Sequence, residues 1–177
     1  MTRVSRLAVG LMAVVALALA AVVWIMFTDL SRLRADERAG REALAAARSV
    51  ASDMLSYDYR TIEQDFARAG GYTTGALSLH YRQLTRGMAA QAREQKAVQQ
   101  ATVIGAGVES VESGDSGDSG RVQVLLFMNM STVKTPQGEK EPRRQVSQNR
   151  ARFIMVKKDS RWFVAELSTL LGDPPSP

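Results

Sequence analysis

Few side chains in this 177-residue sequence have the type and spacing that catalysis requires. His80 is the one histidine. As a general base it would need an acid or nucleophile close in space, and the sequence names no convincing one. A surface or half-buried structural role is the better reading. Asp58 stands between Tyr57 and Tyr59. A carboxylate lodged among aromatics can have a raised pKa and act as a base. The competing reading, which we prefer, is a turn or cap aspartate with the tyrosines packed beneath a sheet. Asp115 and Asp118 invite a calcium reading, but the further acidic ligands of a loop site are missing and their Ser and Gly neighbours suit a linker. Met128, Met130 and Met155 could line a lipid or hydrophobic-ligand pocket. Strand methionines are more often ordinary core.

The absences are as informative. With no cysteine there is no disulfide, thiolate metal site or cysteine nucleophile. No phosphate-cradling loop, dinucleotide turn, nucleophile elbow or metal-spaced histidines occur. No catalytic, cofactor-binding or metal-binding residue is assigned. The formal charge of +5 is spread along the chain, its densest groups being Arg143-Arg144 and Lys157-Lys158. Neither group forms a stripe with interleaved aromatics, so no nucleic-acid partner is expected.

The elements that would position these residues divide the chain. Leu7 to Phe27 is an unbroken run of apolar or small residues without a charge. As a helix it covers ~30 Å, the hydrocarbon thickness of a bilayer. Arg3 and Arg6 precede it, and Trp24 sits near its far end, where an indole prefers the interface. A cleaved signal peptide is the alternative, with Ala18-Leu19-Ala20 as its cleavage site; the run is too long for one and continues past that site. We expect a retained span over 7–27. The arginines on its two sides nearly balance, and the short tail, 1–6, favours a cytoplasmic N-terminus with the folded part outside the cytoplasm.

Beyond the span, 28–43 reads as a solvated helical stalk, with Glu37 and Arg41 four apart in the favourable order. One helix runs on to Tyr57, apolar again at Leu44, Ala47, Val50 or Ala51, Met54 and Leu55. Thr61, with Gln64 as reciprocal partner, caps a second helix carrying Ile62 and Phe66 and ending at Gly70-Gly71. A third helix spans Thr74 to Gln95, with Leu77, Tyr81, Leu84 and Met88 on one face. After Gln100 the period changes from 3.6 to 2. Four strands are expected: Thr102 to Val111, Arg121 to Val133, Gln145 to Lys158 and Arg161 to Leu171. Their connections are the Gly114–Gly120 repeat, the Thr135–Arg144 loop and the Asp159-Ser160 turn, so neighbours must be antiparallel. Trp162, Phe153 and Phe127 should be substantially buried. The domain, 44–171, is therefore α+β, with helices packed on a curved four-stranded antiparallel sheet. The tail, 172–177, is too rich in proline to extend a strand.

Three segments carry a family resemblance: MLSYDYRTIEQDFARA at Met54 to Ala69, VLLFMNMSTVK at Val124 to Lys134, and RARFIMVKKDSRWFVAEL at Arg150 to Leu167. With the order of basic tail, span, stalk and α+β domain, the chain resembles the actinobacterial Mce-associated membrane proteins. Their soluble part is similar to the cystatin-like fold of the nuclear transport factor 2 (NTF2) superfamily. The resemblance implies a non-enzymatic accessory subunit that helps assemble or stabilise an Mce-type lipid import complex in the cell envelope. Its partners would be the membrane and envelope transporter subunits, with a homo-oligomer left open and no cofactor. Two alternatives stand beside it: an NTF2-like enzymatic or ligand-binding domain with a hydrophobic pocket, and a membrane scaffold subunit resembling those of type IV secretion.

Overall fold

A computed structural model describes residues 3–112, 120–135, 138 and 141–170. The chain forms two units, Met1–Arg38 and Ala39–Pro177. Helix α1 (Arg3–Leu55) begins in the first and ends in the second. Its apolar part carries a mean hydropathy of 1.6 and is long and apolar enough to cross a membrane. None of that stretch is buried against protein; Trp24 is 71% exposed. Where the apolar run ends, the hydroxyls of Thr28 and Ser31 donate to the carbonyls three residues back, at 2.7 Å each. Such back-bonding satisfies a polar side chain within its own helix.

In the second unit, α1 presents Gly40, Ala43, Ala47, Ala51 and Met54 to the core. These recur at three or four residues, one face of a helix. The larger Leu44, Val50 and Leu55, expected on the core stripe with Ala47 and Met54, flank it half-buried. Small residues bring the helix backbone close to the sheet: a Cβ at Gly40 would lie 3.4 Å from Val111. The core volume is filled from the sheet side.

The sheet has five antiparallel strands in sequence order: β1 (Tyr57–Asp58), β2 (Val98–Glu112), β3 (Arg121–Lys134), β4 (Arg143–Lys158) and β5 (Arg161–Leu170). The expected count of four is corrected by β1, a two-residue strand too short to show any period. The chain leaving α1 is stitched to the start of β2. Gln99 Nε2 donates to the Leu55 carbonyl, the Ala101 N–H donates to Ser56 Oγ, and the Tyr59 N–H donates to the Ala97 carbonyl. Helices α2 (Ile62–Gly70) and α3 (Gly75–Glu94) cover the same face, burying Ile62, Phe66, Ala69, Tyr81, Ala89 and Ala92.

Alternation along the strands sets the core. Val122, Val124, Leu126 and Met128 of β3, Ala151, Phe153 and Met155 of β4, and Val164 of β5 are fully buried. Phe153 is buried as expected and Trp162 is half-buried. Phe127 is not buried: it is 38% exposed, because its odd position on β3 points it to the solvent face. Asp159 and Ser160 both take positive φ (48° and 64°), the requirement of a type I′ hairpin turn. In the Gly114–Gly120 repeat only Gly120 is described; Asp115, Asp118, Pro136 and the tail 172–177 lie outside the described residues.

Candidate functional site

The segment Tyr57 to Arg68, running from the end of α1 into α2, is dense in ionisable groups. Its first turn exposes backbone N–H groups, and short acidic side chains satisfy them. Asp58 Oδ1 accepts the Arg60 N–H at 2.9 Å, and the Arg60 guanidinium pairs with the carboxylate at 2.7 Å. Asp65 Oδ2 accepts the Asp58 N–H at 3.1 Å and the Thr61 hydroxyl at 2.9 Å, while its Oδ1 takes Arg68 at 2.6 Å. Thr61 therefore directs its hydroxyl to Asp65 and makes no cap bond of its own, contrary to the expected capping box.

This geometry makes Asp58 a turn aspartate. The Arg60 hydrogen bond holds its carboxyl below the ordinary range, the opposite of what a poised base needs. Three carboxylates, Asp53, Asp58 and Asp65, border an open cavity of about 400 Å³. Each has a protein donor: Tyr72 Oη donates to Asp53 at 3.0 Å. No group of three or more metal-ligating side chains occurs among the described residues. His80 is exposed on α3.

Beneath the segment, Tyr57 stacks on Phe66 at 6.1 Å and Phe66 meets Tyr81 edge-on at 6.3 Å. Burial pushes the Tyr81 phenol up to about 12, and its Oη donates to the Met54 carbonyl at 3.2 Å. Phe66 and Tyr81 floor a groove of about 530 Å³ between α2 and α3, rimmed by Glu63 and Arg82. Glu63 is tied to Arg93, and Arg82 donates to Ser78. Met128 and Met155 are fully buried and Met130 is half-buried. Met128 and Met155 pack within the core as filler.

The polar groups that do converge are structural ties between distant strands and helices. Glu42 Oε2 of α1 accepts Lys157 Nζ at 2.6 Å and Trp162 Nε1 at 3.3 Å. On the solvent face of the sheet, Glu109 takes Arg152 in two bonds, at 2.7 and 3.1 Å, and Glu166 takes Arg121. The same face carries Arg150 over the Phe127 ring at 5.6 Å. None of these pairings was assigned from sequence. Strand parity alone would have put Phe127, Arg150 and Arg152 on one face.

Comparison with known proteins places the chain by fold. No family model matches it. Two uncharacterized proteins of Mycobacterium tuberculosis, from different strains, are each 28% identical over 134 residues, covering 75% of this chain and 56% of theirs. The chain thus spans little more than half the length of these relatives. Among solved structures, a periplasmic fragment of TraM matches with a TM-score of 0.57 at 11% identity, over 73% of this chain and 95% of that one. CagV of Helicobacter pylori, a VirB8 homolog, matches at 0.50 with 9% identity, over 71% and 94%. An IcmL-like type IV secretion system protein of Legionella pneumophila matches at 0.50 with 10% identity, over 76% and 94%. At these identities the likeness is one of fold: helices packed on one face of a curved antiparallel sheet.

Proposed function

We propose that this chain is a membrane-anchored, non-enzymatic accessory subunit of a cell-envelope complex. One observation carries the reading. A helix apolar enough to span a bilayer belongs to a chain whose α+β domain uses its ionisable groups to tie its own elements together. Asp58 is locked by Arg60, Met128 and Met155 fill the core, and His80 is exposed on α3. What remains for function is binding. In this reading residues 7–27 span the membrane, 28–43 form the stalk and 44–171 the working domain. The N-terminus is cytoplasmic and the domain extracytoplasmic.

The resemblance to Mce-associated proteins supports an Mce-type lipid import complex as the one it serves. The second reading, a scaffold subunit of a type IV secretion-like assembly, is favoured by the fold shared with CagV and the IcmL-like protein. Affinity purification of the full chain from detergent-solubilised membranes separates them. Mce-type transporter subunits support the first reading and conjugation or secretion subunits the second. Recovery of the chain alone, after cross-linking in intact cells, would contradict both.

A further inference from the structure

Past its apolar run, α1 turns polar except at two positions. Between Phe27 and Arg41 the large apolar residues are Leu30 and Leu33 alone. Both stand exposed, Leu30 by 46% and Leu33 by 65%. Single exposed leucines are ordinary. These two extend a pattern. Leu19, Val23, Met26, Leu30 and Leu33 follow one another at intervals of four, three, four and three residues, and all five are exposed. That is the a/d spacing by which one helix lies along another, with Val23 and Leu30 at a and Leu19, Met26 and Leu33 at d. Inside the apolar run every register is apolar, so the run selects none. The two leucines beyond it select this one.

The charges agree with that register. Asp29 takes position g and Arg34 takes position e, and both are exposed. In a parallel pair of helices, a g side chain meets the e side chain five residues further along the other helix. Asp29 of each copy then meets Arg34 of the other, and the contact occurs twice. An antiparallel pair would set g against g and e against e, like charge against like. Lipid does not cover the outer leucine. At ~1.5 Å per residue Leu33 lies ~9 Å past Phe27, beyond a headgroup layer of ~5–7 Å.

We propose that the 19–33 stretch of α1 pairs with the same stretch of a second copy of this chain, as a parallel two-helix coil. Leu30 and Leu33 seal its outer end, and Asp29 and Arg34 set its register. The face selects its own copy because it is self-complementary: it carries the apolar seam and both signs of charge, so each contact is repeated by symmetry. The proposal rests on the reading of 7–27 as a membrane span, which gives two copies the same direction.

The test uses the full chain in isolated membranes. The chain has no cysteine, so one introduced thiol reports one position. Leu30→Cys and Leu33→Cys lie on the seam; Arg32→Cys and Ala35→Cys lie on the opposite side of the helix. A disulfide needs two Cβ atoms close and facing, so oxidation with copper phenanthroline should give at least about tenfold more disulfide dimer from the first two than from the last two. In the Leu33→Cys chain, Arg34→Asp should lower the dimer yield, and adding Asp29→Arg should restore it. Equal yields at all four positions, or no dimer at any, overturn the proposal. So does a swap that fails to restore the yield, or a Leu33→Cys adduct with a different protein in place of the dimer. Alkaline washing separates the two readings. A chain stripped from the membrane by it would sink the proposed anchor, whereas a missing cross-link pattern in a chain that stays sinks the pairing alone.

Discussion

Glu42 and Trp162 lie 120 residues apart and are joined by an indole N–H to carboxylate bond of 3.3 Å. The same carboxylate oxygen takes Lys157 Nζ, whose ammonium also stands 5.6 Å from the Trp162 ring centre. The tie fastens α1 to the hairpin of β4 and β5. Its value is expected to lie in the ring and not in the ions. Glu42 and Lys157 are both well exposed, and exposed pairs contribute ~0–1 kcal/mol. Trp162→Ala should therefore cost about 2–3 kcal/mol, less than a fully buried aromatic, and Glu42→Gln less than ~1 kcal/mol. Denaturant melts of the full chain in micelles check the order; equal losses would mean the ion pair carries the joint.

Phe153 and Phe127 provide a matched contrast within one sheet. Phe153 is fully buried and its loss should cost ~3–5 kcal/mol. Phe127 faces solvent under Arg150, so Phe127→Ala should stay within ~1 kcal/mol. A large loss at Phe127 in the same melts would show that the solvent face is covered by another chain.

These two residues also show what the sequence can and cannot reveal. The alternation of Val122, Val124, Leu126 and Met128 is a period that one strand displays alone, and β3, β4 and β5 follow from it to within two residues. Asp159-Ser160 sits between two such periods, and its turn type follows from its length. Hydrophobicity without parity misjudged Phe127. Strand β1 was invisible because two residues have no period and its partner, Val98–Gln99, is forty residues on. Thr61 looked like a cap because Asp65, which draws its hydroxyl, competes only in three dimensions. Arg143-Arg144 stood out as a charge group. That Arg150 shares a face with Arg144 depends on strand parity.

Acid should weaken the domain through two carboxylates. Asp58 and Glu109 are both held below their ordinary values of 3.8 and 4.5, first by the side-chain hydrogen bonds from Arg60 and Arg152. A depressed folded-state pKa adds stability that is fully present above the ordinary value and is lost as pH falls through the folded one. The melting temperature should thus hold from about pH 7 to about pH 5 and fall below about pH 4, and Arg152→Gln should flatten part of that fall. Both pairs are exposed, so the contribution is small. An unchanged acid limb in Arg152→Gln would remove Glu109 from the account.

His80→Ala and Asp58→Asn, made singly, should leave complementation of a deletion strain largely intact at normal protein levels. Loss of an acid or base group ordinarily costs ~10²–10⁴ in rate. Loss of function from either stable variant would restore the enzymatic reading.

Deleting the apolar helix should abolish that complementation, since a tether raises the domain's local concentration at a membrane partner. A reporter fused after residue 170 should be active outside the cytoplasm; cytoplasmic activity would reverse the proposed topology.

The most direct measurement is affinity capture of the full chain from membranes cross-linked in intact cells, followed by identification of the bound proteins. An accessory subunit should bring down other envelope-complex subunits in stoichiometric amount, and His80→Ala/Asp58→Asn should bring down the same set. Capture of the chain with no envelope subunit, while the protein still complements, would contradict the claim that it works by binding in a membrane complex.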